Sequence, residues 1–314
     1  MQKKKILSWV ILAGFIVLGI IFLQNNFQNF KNILNVKWEY VVIIFFTVFI
    51  RSIFNGLKLK ILVGLYDIKL KIKEWFGLEI VSVVGNYTTP FRAGGISIKA
   101  AYLKNQYRFP YTSSLGITGL TTLIDVMTLG ILGFFLSSFL PLENELKYGL
   151  SIFFVFVSLA SIFALFFLPV PIKWNIRLLK HVAKSISQLD KLRQKKITIL
   201  KLIPICLGRL LITVIAFYFA FRAFGFTVPF DIIIMMRILI SLSGLVSLTP
   251  RNFGIQEAII IIFSKLGGET TMAGAFAAIL YRSVSIIFIF GLCPIFSFIL
   301  SKKIIFNTST NEQT

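Results

Sequence analysis

Two similar stretches lie half a chain apart in this sequence. Residues 85–100 read GNYTTPFRAGGISIKA, and residues 244–258 read GLVSLTPRNFGIQEA. Matching positions are separated by 158 to 160 residues, and they pair Thr89-Pro90 with Thr249-Pro250, Arg92 with Arg251, Gly95-Ile96 with Gly254-Ile255, and Ala100 with Ala258. An ordered series of matches at one separation indicates an internal repeat that divides the chain into two halves.

Long apolar segments surround both stretches. Six of them can each cross a membrane, which takes roughly 20 apolar residues, and they cover residues 6–23, 38–56, 111–140, 148–170, 202–224 and 271–300. Two shorter apolar regions, 77–90 and 231–250, lead into the repeated stretches, and we interpret each as one limb of a re-entrant hairpin. The sequence therefore predicts an all-α polytopic membrane protein with six full transmembrane helices and two re-entrant hairpins.

The composition combines a high positive charge with high hydrophobicity. The chain carries 33 Lys and Arg against 12 Asp and Glu, yet 57% of its residues are hydrophobic and its mean hydropathy is +0.86. A nucleic-acid-binding protein with a net charge of +21 would be polar throughout, so we expect no nucleic-acid partner.

The distribution of the cations predicts the orientation. With the N-terminus inside, the inner segments 3–5, 58–73, 92–108, 173–201 and 302–303 carry 23 of the 33 cations, and the outer segments carry six. Arg51, Arg209, Arg237 and Arg282 fall within membrane segments. Because cytoplasmic loops are enriched in Lys and Arg, we expect a multi-pass protein of the inner or plasma membrane with both termini in the cytoplasm.

This topology inverts the second half relative to the first. The first repeat would comprise residues 1–147 with a hairpin at about 76–108, the second would comprise 148–301 with a hairpin at about 231–268, and 302–314 would form a polar tail. Three crossings separate equivalent points, so the halves enter from opposite sides. Inverted repeats with broken helices are typical of secondary transporters, whose substrate site lies at the repeat interface.

Two basic inner segments, 58–75 and 171–201, alternate apolar and cationic residues. One interpretation is an interfacial amphipathic helix in each segment that binds anionic lipid headgroups. The alternative is a solvated segment that only fixes the orientation.

Polar residues cluster at the two proline turns. Proline breaks a helix, and the freed backbone groups with the next helix N-terminus can bind an anion such as phosphate. We therefore predict a polar substrate path lined by residues of both hairpins, namely Asn86, Pro90, Arg92, Lys99, Pro250, Arg251, Asn252, Gln256 and Glu257. Lys99 and Glu257 hold equivalent positions with opposite charge. For Arg92 and Lys99 the alternative is snorkelling to the inner interface.

A carboxylate lies inside the third predicted span. Asp125 has long apolar flanks, so we expect it to face the bundle interior and to have a charged partner. Arg282 stands at the equivalent place of the other half, which predicts an Asp125–Arg282 pair. This pair could serve the site or only hold the two halves together.

The sequence contains no pattern for a metal or a cofactor. Cys206 and Cys293 lie in apolar segments, and His181 stands alone in a basic loop, so we expect no metal, no disulfide and no cofactor. Nucleotide-binding and hydrolase motifs such as G-x-x-x-x-G-K-[ST], H-E-x-x-H and G-x-S-x-G are absent. We expect a transporter rather than an enzyme.

The assembled residues resemble those of the lysylphosphatidylglycerol synthase transmembrane family, which includes the flippase portion of the multiple peptide resistance factor. The resemblance rests on Asn86, Pro90, Arg92, Gly94 and Lys99, on Asp125, and on Pro250, Gly254, Ile255, Glu257 and Arg282. Gly95 stands where the family often has an acid, Thr122 where it often has arginine, and Arg251-Asn252 replaces a common glycine pair. The resemblance implies lipid movement and does not by itself imply lipid aminoacylation.

These observations lead to a functional hypothesis. The protein would move a polar-headgroup phospholipid, aminoacylated or glycosylated, or a polyprenyl-phosphate-linked lipid between leaflets. One alternative is a membrane-embedded component of a lipid-modifying transferase. Another is a non-transporting scaffold that has such an enzyme as its partner.

Overall fold

The computed structural model describes residues 36–140, 143–166, 196–245 and 249–311, and within these ranges the regular elements are α-helices and short 3₁₀ turns. The first half comprises α1 (Trp38–Gly64), α2 (Ile72–Thr88), a turn at Pro90–Arg92, α3 (Ala93–Tyr107) and α4 (Tyr111–Ser137). The second half begins with α5 (Asn144–Phe166) and continues with α6 (Lys196–Arg222), α7 (Phe230–Ser243), a turn at Pro250–Asn252, α8 (Ile255–Leu266) and α9 (Thr271–Asn311).

Five helices of the described ranges are long and apolar enough to cross a membrane: α1, α4, α5, α6 and α9. They coincide with five of the six predicted spans. The sixth prediction, residues 6–23, lies outside the described residues, as does most of the basic segment 171–201.

The remaining helices form two helix–turn–helix units around the repeated stretches. In the first unit α2 has 17 residues and α3 has 15, and in the second unit α7 has 14 and α8 has 12. Proline sets the boundaries, because it lacks an N–H donor and disfavours helical backbone before it. Pro90 and Pro250 separate the paired helices, and Pro110 and Pro229 precede α4 and α7.

The bundle has a buried apolar core and an apolar exterior. α1 packs along α6, α2 packs on α9, α4 packs on α5 and α7, and the two proline turns contact each other. Ile44, Leu62 and Phe217 are fully buried between these helices. Large apolar side chains such as Phe156 and Phe298 point outward, about 70% exposed, as expected of helices that face lipid.

The interpretation of residues 58–75 as one interfacial helix is wrong. α1 continues to Gly64, so Lys58 lies in the last turns of a spanning helix and is only 3% exposed. The chain then turns before α2 begins at Ile72, where the backbone N–H of Lys71 donates to Glu74 Oε2 at 2.8 Å. The physical reason is a buried partner for the Lys58 ammonium, which allows the lysine to remain within the bundle.

Candidate functional site

The two proline turns have the same unusual backbone. Phe91 and Arg92 after Pro90 have φ of 55° and 56°, and Arg251 and Asn252 after Pro250 have φ of 53° and 59°. Left-handed backbone is uncommon for residues other than glycine. When positions are counted from the proline, therefore, Arg92 corresponds to Asn252 and Phe91 corresponds to Arg251. The sequence match of Arg92 with Arg251 is shifted by one residue, because the proline and not the arginine sets the register of the turn.

A threonine side chain closes each turn. The Gly94 N–H donates to Thr89 Oγ1 at 2.7 Å, and the Thr249 hydroxyl donates to the Phe253 carbonyl at 2.8 Å.

Asn86 Oδ1 accepts from the Gly95 N–H at 3.0 Å, while Asn252 Nδ2 donates to Ser243 Oγ at 2.8 Å. Both asparagines were predicted as path residues, and both also hold the local backbone in place.

A polar cavity of about 390 Å³ lies where the two units meet the long helices. Most of the predicted path residues line this cavity, together with both members of the predicted charge pair: Asn86, Arg92, Lys99, Asp125, Arg251, Asn252, Gln256 and Arg282. Pro90 and Pro250 shape the turns without lining it, and Glu257 adjoins it through Arg282.

Asp125 does not pair with Arg282. Its carboxylate binds Lys58 of α1 and, at 3.0 Å, Arg209 of α6, and the Cys206 thiol donates to it at 2.7 Å. Arg282 instead binds Glu257 of α8 at 2.5 Å. The predicted pair is wrong because each residue finds an opposite charge on a nearer helix, where a short ion pair avoids leaving a charge alone in the bundle.

Lys99 takes part in a further ion pair. Its ammonium lies 2.8 Å from Glu79 Oε2 of α2, and Glu79 is only 5% exposed. The lysine therefore points to a buried carboxylate of its own unit rather than snorkelling. Lys99 and Glu257 have opposite charges at equivalent positions, and each finds its own counter-charge.

Five charged residues of the cavity were missing from the predicted path. Arg51 and Lys58 come from α1, Glu79 from α2, Arg209 from α6 and Arg237 from α7. The sequence contains a signal for four of them, since Arg51 and Arg209 are separated by 158 residues and so are Glu79 and Arg237. Lys99 and Glu257 are also 158 residues apart. Extending the repeat outward from the turns at this separation would therefore have found these four residues.

Four arginines of the cavity have no carboxylate partner among the described residues: Arg51, Arg92, Arg237 and Arg251. Arg51 donates to the Tyr281 hydroxyl, and the guanidinium of Arg237 lies 5.9 Å from the Phe217 ring. These two rings pack against each other with centroids 4.4 Å apart. Aromatic faces attract guanidinium groups but leave their net charge in place.

The second turn crosses to the first unit. Arg251 lies over the ring of Tyr87 in α2, with its guanidinium carbon 5.3 Å from the ring centroid. Arg92 of the first turn approaches Gly244 at the end of α7 so closely that a Cβ there would collide with its guanidinium. Each turn therefore brings a positive charge to the opposite unit, and both charges line the cavity.

The side chains of this site can bind negatively charged groups. Its charges are predominantly positive, its donors are guanidinium and ammonium groups, and its carboxylates are engaged in ion pairs. Across the part of the chain that the structure describes, no three His, Cys, Asp or Glu side chains are grouped as a metal site would require.

The fold and the site define a class: a multi-pass helical membrane protein with a charged cavity between two proline-broken helix pairs. The family model for the lysylphosphatidylglycerol synthase TM region matches residues 6–293 of this chain. The chain therefore belongs to that family. Comparison with curated proteins gives no match, and comparison with solved structures gives none either.

Proposed function

We propose that this protein moves a lipid with a polar headgroup from one membrane leaflet to the other. The headgroup passes through the cavity, and the acyl chains remain in the surrounding lipid. The observation that carries the proposal is a cavity of about 390 Å³ with many charged side chains, inside a bundle whose outer surface is apolar. Each polar group that crosses hydrocarbon without a partner costs several kcal/mol, and such a cavity supplies the partners.

The pattern of helix contacts supports a repeat of two halves, and the distribution of cations between the loops supports its inversion. We take α1 to α4 to correspond to α6 to α9 in the same order. The contact of α2 with α9 then corresponds to the contact of α7 with α4. The contact of α1 with α9 likewise corresponds to the contact of α6 with α4. The α1–α6 contact and the contact between the two turns are their own counterparts. We assign the first repeat to residues 1–147 and the second to 148–301, with the units as re-entrant hairpins from opposite sides.

Such an arrangement suits alternating access. In inverted-repeat transporters the substrate site lies at the repeat interface, and one repeat rocks against the other. Residues of both repeats surround this cavity, so a small rotation would change the side to which it opens.

The lining residues divide between two roles. Arg92, Lys99 and Arg251 face the cavity from the two units and hold phosphate oxygens. Asp125 and Glu257 form ion pairs with Lys58, Arg209 and Arg282, and they exchange these partners for cationic or hydroxyl groups of a headgroup.

The direction of lipid movement is set by the membrane and not by a reaction of the protein. In a cell membrane with both termini in the cytoplasm, a potential of 100 mV contributes about 2.3 kcal/mol per charge. An inside-negative potential therefore drives anionic lipids outward and opposes the outward movement of cationic ones. The basic inner loops bind anionic lipid and fix this orientation.

A second function follows from the family description. The matched region is named as the TM region of a synthase, so the chain could instead be the membrane component or scaffold of a lipid-modifying enzyme. This alternative predicts that the protein copurifies with such an enzyme and moves no lipid.

A reconstituted exchange assay separates the two functions. Vesicles with and without the full chain receive trace lipids that are labelled on the acyl chain and differ in headgroup, and a membrane-impermeant reductant removes label from the outer leaflet only. Translocation predicts that the protein exposes the inner-leaflet label of at least one headgroup class. Identical traces with and without protein for every headgroup would contradict it.

A further inference from the structure

We infer that the cavity takes a headgroup bearing at least two negative charges on phosphate, that is, a phosphate monoester or a diphosphate rather than a phosphodiester with one charge. This inference rests on the proposed function and names its substrate class.

The first observation is the imbalance of charge. Among the described residues, eight basic side chains line the cavity, and two carboxylates, Glu79 and Asp125, do so. Adding Glu257, which pairs with Arg282 at the edge, still leaves the cations in large excess. Charges of one sign inside a membrane bundle repel each other and are poorly solvated, so their burial requires a counter-charge from elsewhere.

The second observation is the state of the individual arginines. Arg51 and Arg282 are 9% and 8% exposed, and each uses part of its guanidinium in a contact, with the Tyr281 hydroxyl and with Glu257 respectively. Arg51 Nε, Arg237 Nε and Arg282 Nη1 are buried without a hydrogen-bond partner in the described structure. Buried donors of native proteins normally have partners.

The third observation is the origin of the four arginines without carboxylates. Arg51 belongs to α1, Arg92 to the first turn, Arg237 to α7 and Arg251 to the second turn. The positive charge therefore surrounds the cavity instead of forming one surface stripe. Guanidinium groups bind phosphate with two parallel hydrogen bonds. A group with several oxygens can engage arginines of both units at once, whereas one negative charge would leave most of them uncompensated.

The excess of positive charge around the cavity also distinguishes between headgroups. A zwitterionic headgroup brings its own cation into a cavity that already has too many. A headgroup with two or more charges on phosphate gains attraction from both units. We therefore expect affinity to rise with the number of phosphate charges and to fall with salt.

Direct binding tests the substrate class without requiring transport. The purified full chain in nanodiscs is titrated with farnesyl diphosphate, farnesyl monophosphate, farnesyl methyl phosphate, farnesol and inorganic diphosphate, and binding is followed by intrinsic tryptophan fluorescence. We expect the diphosphate and the monophosphate to bind at least tenfold more tightly than farnesyl methyl phosphate, a phosphodiester with one charge, and farnesol to show no saturable binding. Equal affinities for the diphosphate and the phosphodiester would overturn the inference.

Two site variants and one control locate the binding. Arg237→Gln and Arg251→Gln should each weaken farnesyl diphosphate binding at least tenfold, while Arg222→Gln, on a cation at the end of α6 that does not line the cavity, should leave it unchanged. Thermal unfolding of each variant identifies any that fails to fold, and for such a site the milder Arg→Lys variant is used. Equal affinity in the folded site variants and the control would overturn the inference.

The remaining arms distinguish the possible sources of the phosphate. If inorganic diphosphate binds as tightly as farnesyl diphosphate, the site takes a free anion, and the lipid part of the inference is wrong. If the vesicles exchange zwitterionic lipid and the chain binds no diphosphate, the proposed translocation stands and the inference fails. If farnesyl diphosphate binds tightly but no lipid changes leaflet, the inference about the ligand stands and the proposed function fails.

Discussion

Arg92 and Asn252 occupy the same position of the two proline turns, and both have left-handed backbone, with φ of 56° and 59°. The preceding residues, Phe91 and Arg251, share this conformation. Each such residue costs about 1–2 kcal/mol relative to ordinary backbone, and strained residues cluster at functional sites. In this protein the strained turns contact each other beside the cavity and direct Arg92 and Arg251 into it.

Relief of this strain should stabilise the protein. Phe91 is 62% exposed, so Phe91→Gly removes few buried contacts and should raise the free energy of unfolding by about 1 kcal/mol, since glycine adopts positive φ without a steric cost. Phe135→Gly is the matched control, because Phe135 is 60% exposed but lies within α4. Glycine in a helix should lower the stability by about 1 kcal/mol. Thermal unfolding in detergent measures both, and an equal loss in the two variants would show that the turn is not strained.

The carboxylate of Asp125 should be essential for the stability of the bundle. It forms ion pairs with both Lys58 and Arg209, so Asp125→Asn removes the negative charge that the two cations share and should destabilise the protein by about 3–5 kcal/mol. Adding Lys58→Met should recover much of this loss, because it removes the more deeply buried cation. Denaturant titration of the single and double variants provides the test. An Asp125→Asn protein as stable as wild type would contradict the pairing.

The arrangement of these charges shows where prediction from the sequence ends. The spans and the proline turns are visible in the sequence because hydrophobic length and proline act locally. The partners of Asp125 are not visible in the sequence, because Lys58 and Arg209 come from helices far away along the chain. The packing of these helices side by side depends on the whole bundle. Lys58 is the clearest failure. Residues 58–75 form a basic pattern that is typical of an interfacial or a solvated segment, yet the buried carboxylate of Asp125 pairs with Lys58 inside the bundle.

Arginines with and without a carboxylate should respond in opposite ways to the same substitution. Arg237 has no carboxylate partner among the described residues and a buried Nε without an acceptor, so Arg237→Met should stabilise the protein by about 1–3 kcal/mol. Arg282→Met should destabilise it, because Glu257 would lose its partner. The two variants are compared by thermal unfolding without added ligand. A destabilised Arg237→Met would indicate that the arginine has a structural role instead.

Close packing of the first unit depends on Gly94. A Cβ at this position would collide with the Gly85 backbone and the Thr89 hydroxyl, so Gly94→Ala should cost about 1–3 kcal/mol by overpacking. Gly119 of α4 has open space around it, and Gly119→Ala should raise the stability by up to about 1 kcal/mol. The difference in unfolding midpoint between the two alanine variants is the measurement. Similar midpoints would mean that α2 and α3 can separate freely.

If headgroups cross the membrane through the cavity, substitutions in its lining should slow the exchange of lipid between leaflets. Vesicles are reconstituted with equal amounts of wild type, Arg251→Gln, and Arg222→Gln as the control outside the cavity. For the headgroup that wild type moves fastest, we predict at least a tenfold slower exchange with Arg251→Gln and an unchanged rate with Arg222→Gln. Equal rates for all three proteins, each confirmed as folded, would contradict the account.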